Sequence, residues 1–410
     1  MIAQRSSSKC LLEKLDISYP IFQSPMAGVS TPEMASAVTN SGGLGAIPLA
    51  PINFLHPNSI DKLKSLIDSY TLGLANKNNS NTINLNFFCH KVEPEPISSE
   101  IANWKTLYQN ALNLPESILG KTKFTNGNIS FRETEQDEQS LGKLFDFLEQ
   151  YKPKLTSFHF GVPSHATIAK LHELDAMVFV TATSIDEVRV LCEGGEGGEG
   201  GGGVDGIILQ GYEAGGHRGN FLTKSIWDEN LSTQSLFQKT KQYVEKLEQD
   251  KRPFLVPAGG IMNTSQINWY IKNGASACQL GTVFLASPES TTSSFFSKLT
   301  QATPVLNNTI MIDVVSGKPA RCIRTEFIDN LYKEYQSGPK SLPPYGYMYS
   351  AYKQLKTIAE TAEPDTTLRF ALNKDIGFYL AGQNFYQLEK GSTREIMKKL
   401  TTNLEQDLQP

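Results

Sequence analysis

The stretch VDGIILQGYEAGGHRG, residues 204–219, begins as a short apolar run and ends as a loop that places an acid, a histidine and an arginine among glycines. Short apolar runs bounded by glycine are typical of strands that are buried on both faces of a parallel sheet. An ordinary turn requires no such set of reactive groups. The run therefore predicts a buried strand, and the loop is a candidate functional site.

The same rhythm of a short apolar run followed by a helical stretch recurs from about residue 20 to residue 290. Helical stretches follow the first, fourth, fifth and seventh runs, and each has Ser, Thr or Asn near its start as a cap. Eight strands that alternate with helices predict an α/β fold of the (β/α)8 TIM barrel type. The predicted strands are 21–27, 43–47, 83–88, 155–159, 176–181, 206–209, 254–258 and 277–280.

Three regions depart from this rhythm. Residues 91–130 are an insertion after the third strand, and residues 291–410 are a helix-rich extension. We expect these two regions to form a smaller helix-rich domain over the barrel mouth, where the carboxyl ends of the strands meet, while residues 1–90 and 131–290 form the barrel. The run EGGEGGEGGGG, residues 193–203, predicts an exposed low-complexity linker, because glycine favours no regular structure and the three acids would repel a phosphate.

Composition narrows the class of partner. The formal charge is −4, 20% of residues are charged, and there is no long basic run, so neither nucleic acid nor anionic lipid is expected to bind. No segment approaches the length of apolar sequence that spans a membrane. The expected partner is a small molecule, and no protein partner is implied. Five cysteines without a C-x-x-C pair suit reduced thiols of a cytoplasmic protein, although Arg5 and three nearby serines leave a mitochondrial location as the alternative.

Two glycine turns form a candidate phosphate site. Gly259 and Gly260 follow the seventh strand, and Gly281 and Thr282 follow the eighth. These are the two strands after which TIM barrels usually bind phosphate, and glycine lets the backbone approach an oxyanion closely. The alternative is that the glycines only permit tight turns. Their adjacency at the mouth favours the phosphate site.

The six histidines show no metal-binding spacing such as H-x-x-x-H or H-E-x-x-H, so no metal site is expected. His217 differs from the others because the flanking glycines would let its imidazole reach into the mouth, where it could move a proton or bind an anion near pH 7. The alternative is a loop histidine that faces solvent. No Ser or Cys stands in a strained elbow to act as a nucleophile.

Six segments in this order resemble the nitronate monooxygenases, formerly called 2-nitropropane dioxygenases. They are PIFQSPMAGVSTPEMASAVTNSGGLGAI (20–47), NLNFFCH (84–90), SFHFGVP (157–163), QGYEAGGHRG (210–219), PAGGI (257–261) and CQLGT (278–282). Three later segments, SGKPAR (316–321), PPYGYMYSAYK (343–353) and YLAGQ (379–383), are similar to class I of that family. The glycine run at 193–203 has no counterpart in the resemblance.

The resemblance implies an FMN-binding barrel that oxidises alkyl nitronates, notably propionate 3-nitronate, with molecular oxygen. It implies that His217 is the active-site histidine. The implied substrate-side residues are His159, Tyr345, Tyr349 and Lys353, the last three spaced four apart as on one helical face. The implied flavin contacts are Met26, Ala27, Gly28, Val29, Ser30, Asn86, Gln210, Gly215, Gly260, Gln279, Leu280, Gly281 and Thr282.

Two other functions remain open from the sequence. The first is a flavin barrel that takes hydride from NADH or NADPH, as quinone reductases and enoyl-thioester reductases of related sequence do. The second is a non-catalytic flavin or phosphate binder in which AGGHRG is only a turn. Similarly, the segment with Tyr345, Tyr349 and Lys353 could be an amphipathic surface helix.

Overall fold

The computed structural model describes residues 7–193, 203–222, 228–301, 308–338, 340–361 and 376–404. Its main sheet consists of β1 (Ile21–Gln23), β2 (Gly45–Pro48), β3 (Ile83–Phe88), β4 (Leu155–His159), β5 (Met177–Ala182), β6 (Gly206–Gln210), β8 (Phe254–Ala258) and β9 (Cys278–Leu280). A second sheet consists of β7 (Gly216–His217), β10 (Thr309–Ile312) and β11 (Ala320–Ile323). All strand pairs of the main sheet are parallel, and those of the second are antiparallel.

The main sheet closes on itself. Its strands run in the order β1-β9-β8-β6-β5-β4-β3-β2, and a parallel bridge between Phe22 and Leu44 joins the two ends. The predicted TIM barrel is confirmed. The bounds of β3, β4 and β8 agree with the sequence prediction, but β1 ends at Gln23 rather than at residue 27. The residues after Gln23 form a loop instead, in which the Ser30 hydroxyl accepts a hydrogen bond from the Met26 N–H (3.1 Å).

Fifteen helices lie in the described ranges. The predicted caps are confirmed, since Thr31, Ser164 and Asn263 accept hydrogen bonds from backbone N–H groups of the helices that they precede, and Ser184 accepts one from Glu187. The helices are α1 (Ser7–Leu15), α2 (Pro32–Asn40), α3 (Ser59–Gly73), α4 (Ser98–Leu112), α5 (Glu116–Leu119), α6 (Phe131–Glu135), α7 (Glu138–Tyr151), α8 (His165–Glu173), α9 (Ile185–Glu193), α10 (Thr233–Val244), α11 (Thr264–Lys272), α12 (Ser293–Leu299), α13 (Glu326–Ser337), α14 (Tyr347–Thr361) and α15 (Thr393–Thr401).

The N-terminal helix is part of the fold. The sequence pattern places the first barrel element near residue 20, but Leu11, Leu12 and Leu15 of α1 are buried in a cluster with barrel residues such as Phe22 and Phe179. Burial of such leucines stabilises the folded state by about 1.5–3 kcal/mol each. The helix therefore belongs to the folded barrel.

The insertion and the extension share a second apolar cluster. It contains Trp104 and Tyr108 from α4, Phe327 from α13 and Tyr352 from α14, together with residues of β10 and β11. The division of the chain into a barrel and a separate domain of residues 91–130 and 291–410 remains a proposal. One part of it needs correction, because Ile396, Met397 and Leu400 of α15 are buried in the barrel's own cluster. Helix α15 packs between α11 and α2, where it completes the outer ring of helices.

Of the predicted linker at residues 193–203, the structure describes only Glu193 and Gly203, because residues 194–202 lie outside the described residues. Among the helices that the structure describes, none is long and apolar enough to cross a membrane.

A buried ion pair holds the loop that follows β6. Arg218 pairs with Asp228, and the exposed fractions of the two side chains are only 2% and 8%. The same guanidinium donates to the carbonyl oxygens of Gln210 (3.0 Å) and Thr183 (3.2 Å). The loop is thus attached to the ends of both β6 and β5.

We expect Arg218→Met to lower the free energy of unfolding by about 3–5 kcal/mol, because it leaves the Asp228 carboxylate buried without a partner. Urea unfolding measures the change. The matched control is Arg189→Met, which removes an ion pair with Asp186 whose side chains are 57% and 81% exposed, and it should cost at most about 1 kcal/mol. Equal losses in the two variants would contradict the structural role of Arg218.

Candidate functional site

A cavity of about 560 Å³ opens at the carboxyl ends of the barrel strands. Its size is within the range of about 300–1,000 Å³ that is usual for ligand and cofactor sites. It brings together residues from each of the six barrel segments that carry the resemblance. Of the predicted site residues, those that line it are Met26, Ala27, Gly28, Val29, Asn86, His159, Gln210, Gly215, His217, Gly260, Gln279, Gly281, Thr282, Tyr345, Tyr349 and Lys353.

Two predicted flavin contacts do not line the cavity. The Leu280 side chain is 1% exposed and packs in the barrel core, because consecutive side chains of β9 point to opposite faces. The Ser30 hydroxyl is used within its own loop, where it also donates to the Ser24 carbonyl (3.3 Å). Both residues therefore shape the wall of the cavity without bordering it through their side chains.

The two glycine turns form one end of the cavity. Gly260 has φ +70°, and a Cβ built on Gly281 would lie 3.1 Å from the Ser24 Cβ and 3.3 Å from the Met26 sulfur. A short 3-10 turn begins at Thr282. The turns are braced by the C-terminal segment, since Asn384 donates to the Gly260 carbonyl (2.7 Å) and Gly382 N–H donates to Thr282 Oγ1 (2.9 Å).

Two buried acceptors on the cavity wall lack a donor. Asn86 Oδ1 and Gln279 Oε1 make no hydrogen bond within the part of the chain that the structure describes. The amide of Asn86 is oriented by a hydrogen bond from its Nδ2 to Ser157 Oγ (2.9 Å). Buried polar atoms are rarely left unpaired, since each lost hydrogen bond costs about 1–3 kcal/mol. The wall is therefore suited to a ligand that carries N–H or O–H donors.

The loop after β6 is held rigidly by its own polar groups. Gln210 donates from Nε2 to the His217 carbonyl (2.9 Å) and accepts at Oε1 from the Gly219 N–H (2.7 Å). The Glu213 carboxylate accepts from the N–H and hydroxyl of Thr233 at the start of α10. Only glycine fits at residue 219, because a Cβ there would lie 2.5 Å from the His159 ring. Of the reactive side chains in the loop, His217 is thus the one that the loop presents to the cavity.

His217 lies in an aromatic enclosure. Its ring is 5.6 Å from the Tyr345 ring, 5.7 Å from the Tyr349 ring and 5.9 Å from the Phe160 ring, measured between centroids. The pKa of His217 is lowered to about 3, mainly by burial and in addition by the nearby His159, Lys318 and Lys353. The imidazole is therefore neutral near pH 7 unless an anion binds beside it.

His159 holds the loop after β6 in place through hydrogen bonds of its ring. Its Nδ1 lies 3.1 Å from Thr181 Oγ1, and its ring also forms a hydrogen bond with the His217 backbone. Burial lowers the pKa of His159 to about 4, and the pKa of His90 falls to about 4 for the same reason. Because its ring has two polar partners in the protein, His159 lines the cavity as a brace for the His217 main chain.

The substrate-side residues gather on the extension. Tyr349 and Lys353 lie on α14, whereas Tyr345 lies two residues before that helix begins. The Lys353 ammonium is 4.2 Å from the centre of the Tyr349 ring and makes no ion pair with a described carboxylate. Burial lowers the pKa of Lys353 and raises the pKa of Tyr349 to about 12. This wall of the cavity can therefore attract an anion.

Several residues in or beside the cavity were not identified from the sequence. Phe378 and Asn384 line the cavity although they lie far along the chain from the barrel strands. Ser316 and Lys318, which belong to the SGKPAR segment, contact the lining residues His217 and Tyr345. Ser316 Oγ lies 2.9 Å from His217 Nε2. The Lys318 ammonium is 5.1 Å from the centre of the Phe160 ring and 5.7 Å from that of Tyr345. No local spacing rule connects such residues to the mouth.

Metal-binding groups are not assembled here. Across the ranges that the structure describes, no three His, Cys, Asp or Glu side chains form a cluster that could hold a metal ion.

Comparison with known proteins shows which family and which known structures the chain is similar to. The family model described as nitronate monooxygenase matches residues 8–403. A protein from Saccharomyces cerevisiae is 40% identical over 97% of this chain and 92% of its own length. A nitronate monooxygenase from Pseudomonas aeruginosa is 31% identical over 84% of this chain and 87% of its own. The nitroalkane oxidase structure from Streptomyces ansochromogenes shares the fold, with a TM-score of 0.73, 24% identity and coverage of 96% of this chain and 97% of that chain.

The neutral buried histidines predict a loss of stability in mild acid. His90 has a folded-state pKa of about 4, below the value of about 6.5 in an unfolded chain, so the unfolded state binds more protons between these values. The contribution of neutral His90 to the free energy of unfolding is present above pH 6.5 and is lost as the pH falls from 6.5 towards 4. We expect His90→Asn to reduce the slope of unfolding free energy against pH, between pH 6 and 5, by about 1 kcal/mol per pH unit. Urea unfolding at each pH gives the slope, and an unchanged slope would contradict a neutral His90.

Proposed function

The chain belongs to the nitronate monooxygenase family, flavin-dependent oxidoreductases that act on nitronates, and from this premise we propose that it binds FMN and uses molecular oxygen to oxidise alkyl nitronates. The proposed substrate is propionate 3-nitronate, and the products are the carbonyl compound with nitrite or nitrate. One observation carries the proposal: a single cavity joins the glycine turns at Gly260 and Gly281 to the imidazole of His217 and to the ammonium of Lys353, which has no ion pair with a described carboxylate.

The cavity fits FMN in its shape and its donors. The turns at Gly260, Gly281 and Thr282 would hold the phosphate, because the missing side chains let an oxyanion approach the backbone N–H groups. The unpaired Asn86 Oδ1 and Gln279 Oε1 would accept hydrogen bonds from the N–H and O–H groups of the flavin. Met26 to Val29, Gln210 and Gly215 would form the adjoining wall. When bound, FMN would accept electrons from the nitronate and transfer them to oxygen.

The protein's own residues would orient the substrate. A nitronate is already deprotonated and electron-rich, so the protein needs mainly to hold its charge in place. Lys353 would attract the carboxylate of propionate 3-nitronate, with the hydroxyls of Tyr345 and Tyr349 beside it. His217 would contact the nitronate group or remove the α-proton of a neutral nitroalkane. The carboxylate of propionate 3-nitronate would thus be the anionic partner of the Lys353 ammonium.

Two experiments separate this proposal from its alternatives. Anaerobic mixing with propionate 3-nitronate, followed by visible absorbance, should bleach the flavin, and a yellow protein that no nitronate reduces would indicate a non-catalytic binder. Steady-state consumption of NADH or NADPH at the rate of nitronate turnover would instead favour a reductase. The proposed location is the cytoplasm, which fractionation of cells would test.

The placement of the phosphate predicts the effect of one substitution. Gly281→Val should release FMN, because its side chain would meet Ser24 and Met26 and fill the cradle. Flavin absorbance after gel filtration measures the occupancy. The matched control is Gly142→Val, since a Cβ on Gly142, within α7, has no atom within 4 Å. Full FMN occupancy in the Gly281 variant, or FAD in the purified protein, would contradict this placement.

The position of His217 predicts a kinetic effect. His217→Asn removes the titrating group while it keeps the approximate size, and kcat/KM for the nitronate should fall by about tenfold to a thousandfold, or about 1.4–4 kcal/mol of transition-state stabilisation. Flavin content should not change. Turnover of a neutral nitroalkane should fall further, because the imidazole must also accept a proton. His172→Asn, on the exposed side of α8, is the control. Full activity of His217→Asn on both substrate forms would exclude a catalytic role.

A further inference from the structure

The second ring nitrogen of His217 is held by a residue that has no assigned role. His217 Nε2 lies 2.9 Å from Ser316 Oγ, although 99 residues separate the two in sequence. Ser316 follows β10, four residues before β11 begins, and its side chain is completely buried. The antiparallel pairing of Ala320 in β11 with His217 in β7 holds the two segments together.

The direction of the hydrogen bond between His217 and Ser316 follows from a second hydrogen bond that the Ser316 hydroxyl makes. Ser316 Oγ donates to the Lys318 carbonyl oxygen (3.0 Å), and that carbonyl has no other donor among the described residues. A serine hydroxyl carries a single proton, so once that proton points to Lys318, the oxygen can only accept from His217. The proton on the imidazole must then be on Nε2. The hydrogen bond made by one ring nitrogen in this way determines which tautomer a histidine adopts.

The other ring nitrogen of His217, Nδ1, is available to a ligand in the cavity. His217 Nδ1 makes no hydrogen bond with any residue in the described ranges, and His217 lines the cavity. The main chain of His217 cannot turn easily, since its carbonyl accepts from Gln210 Nε2 (2.9 Å). Both the ring, through Nε2, and the His217 main chain are thus held by hydrogen bonds to other parts of the protein.

We propose that Ser316 is a positioning residue that holds His217 as the Nε2–H tautomer, so that an unprotonated Nδ1 can accept the α-proton of a neutral nitroalkane. In this step the C–H bond breaks, its electron pair stays on the substrate as the nitronate, and the proton forms the second N–H bond of the imidazolium. The cation and the new anion neutralise each other, which offsets the cost of charging a buried ring. The proton transfer from a nitroalkane rests on the proposed function, whereas the tautomer of His217 does not.

The tautomer can be measured without substrate. Nitrogen NMR of protein with isotope-labelled histidine distinguishes protonated from unprotonated ring nitrogens, and the His217→Asn variant identifies the His217 signals. The wild type should show a protonated Nε2 and an unprotonated Nδ1. Ser316→Ala should yield a mixture of tautomers, and Ser316→Thr, which retains the hydroxyl, should restore the wild-type pattern. A wild-type protein protonated at Nδ1, or an unchanged pattern in Ser316→Ala, would overturn the proposal.

A matched variant separates positioning from general loss of stability. Ser287 is also completely buried, and its hydroxyl donates to the Phe284 carbonyl (2.8 Å). Ser287→Ala should lower stability to a similar extent as Ser316→Ala, because each substitution removes a buried hydroxyl that donates to a main-chain carbonyl and also contacts a second side chain, Thr393 or His217 respectively. It should leave the His217 signals unchanged. A change of tautomer in Ser287→Ala would show that the effect is not specific to Ser316.

Kinetics test the consequence of the tautomer. In Ser316→Ala, kcat/KM for a neutral nitroalkane should fall by about tenfold relative to kcat/KM for the corresponding nitronate, which corresponds to about 1.4 kcal/mol. An equal loss for both substrate forms, or a wild type with no nitroalkane turnover, would overturn the proton transfer to Nδ1. Failure to bind FMN or to oxidise any nitronate would instead overturn the proposed function, and the NMR measurement would still decide the tautomer.

Discussion

The pairing of two residues of β7 with β11 is the interaction on which the architecture of the site depends. Gly216 and His217 follow a barrel strand, and they pair with Arg321 and Ala320 of the extension. Arg321 strengthens the connection by donating to the Tyr212 carbonyl, with its guanidinium 4.7 Å from the centre of the Tyr212 ring. Since His217 is itself part of this small sheet, the barrel and the segment over its mouth are fixed relative to the residue that faces the cavity.

The unusual composition of the loop after β6 has a physical explanation. Its acid and its arginine do not face the cavity: Glu213 binds the start of α10, and Arg218 binds Asp228 and two strand ends. Gln210 joins the two ends of the loop. Buried polar groups stabilise a structure only when each has a partner, and here the partners are supplied within and around one loop. That rigidity allows a single imidazole to be presented in one orientation.

Charge is distributed unevenly around the cavity. Burial keeps His90, His159 and His217 neutral, while the ammonium of Lys353 lines the wall without an ion pair among the described residues. In a low-dielectric site, such an unpaired positive group attracts an anion more strongly than it would in water. A neutral imidazole beside it can accept a proton when the substrate arrives uncharged. Under the proposed function, the same cavity would accommodate both protonation states of a nitro compound.

The sequence by itself determined the barrel and most of the cavity wall, because the period of apolar runs and the residues that end each strand are local properties. β3, β4 and β8 were predicted with their correct bounds, and carboxyl ends of parallel strands necessarily meet at one mouth. Only the tertiary structure decided the contacts between distant segments. The return of α15 to the barrel, the pairing of β7 with β11 and the contact of Ser316 with His217 each join residues about a hundred or more positions apart. No local pattern encodes such contacts, since they depend on how the whole chain packs.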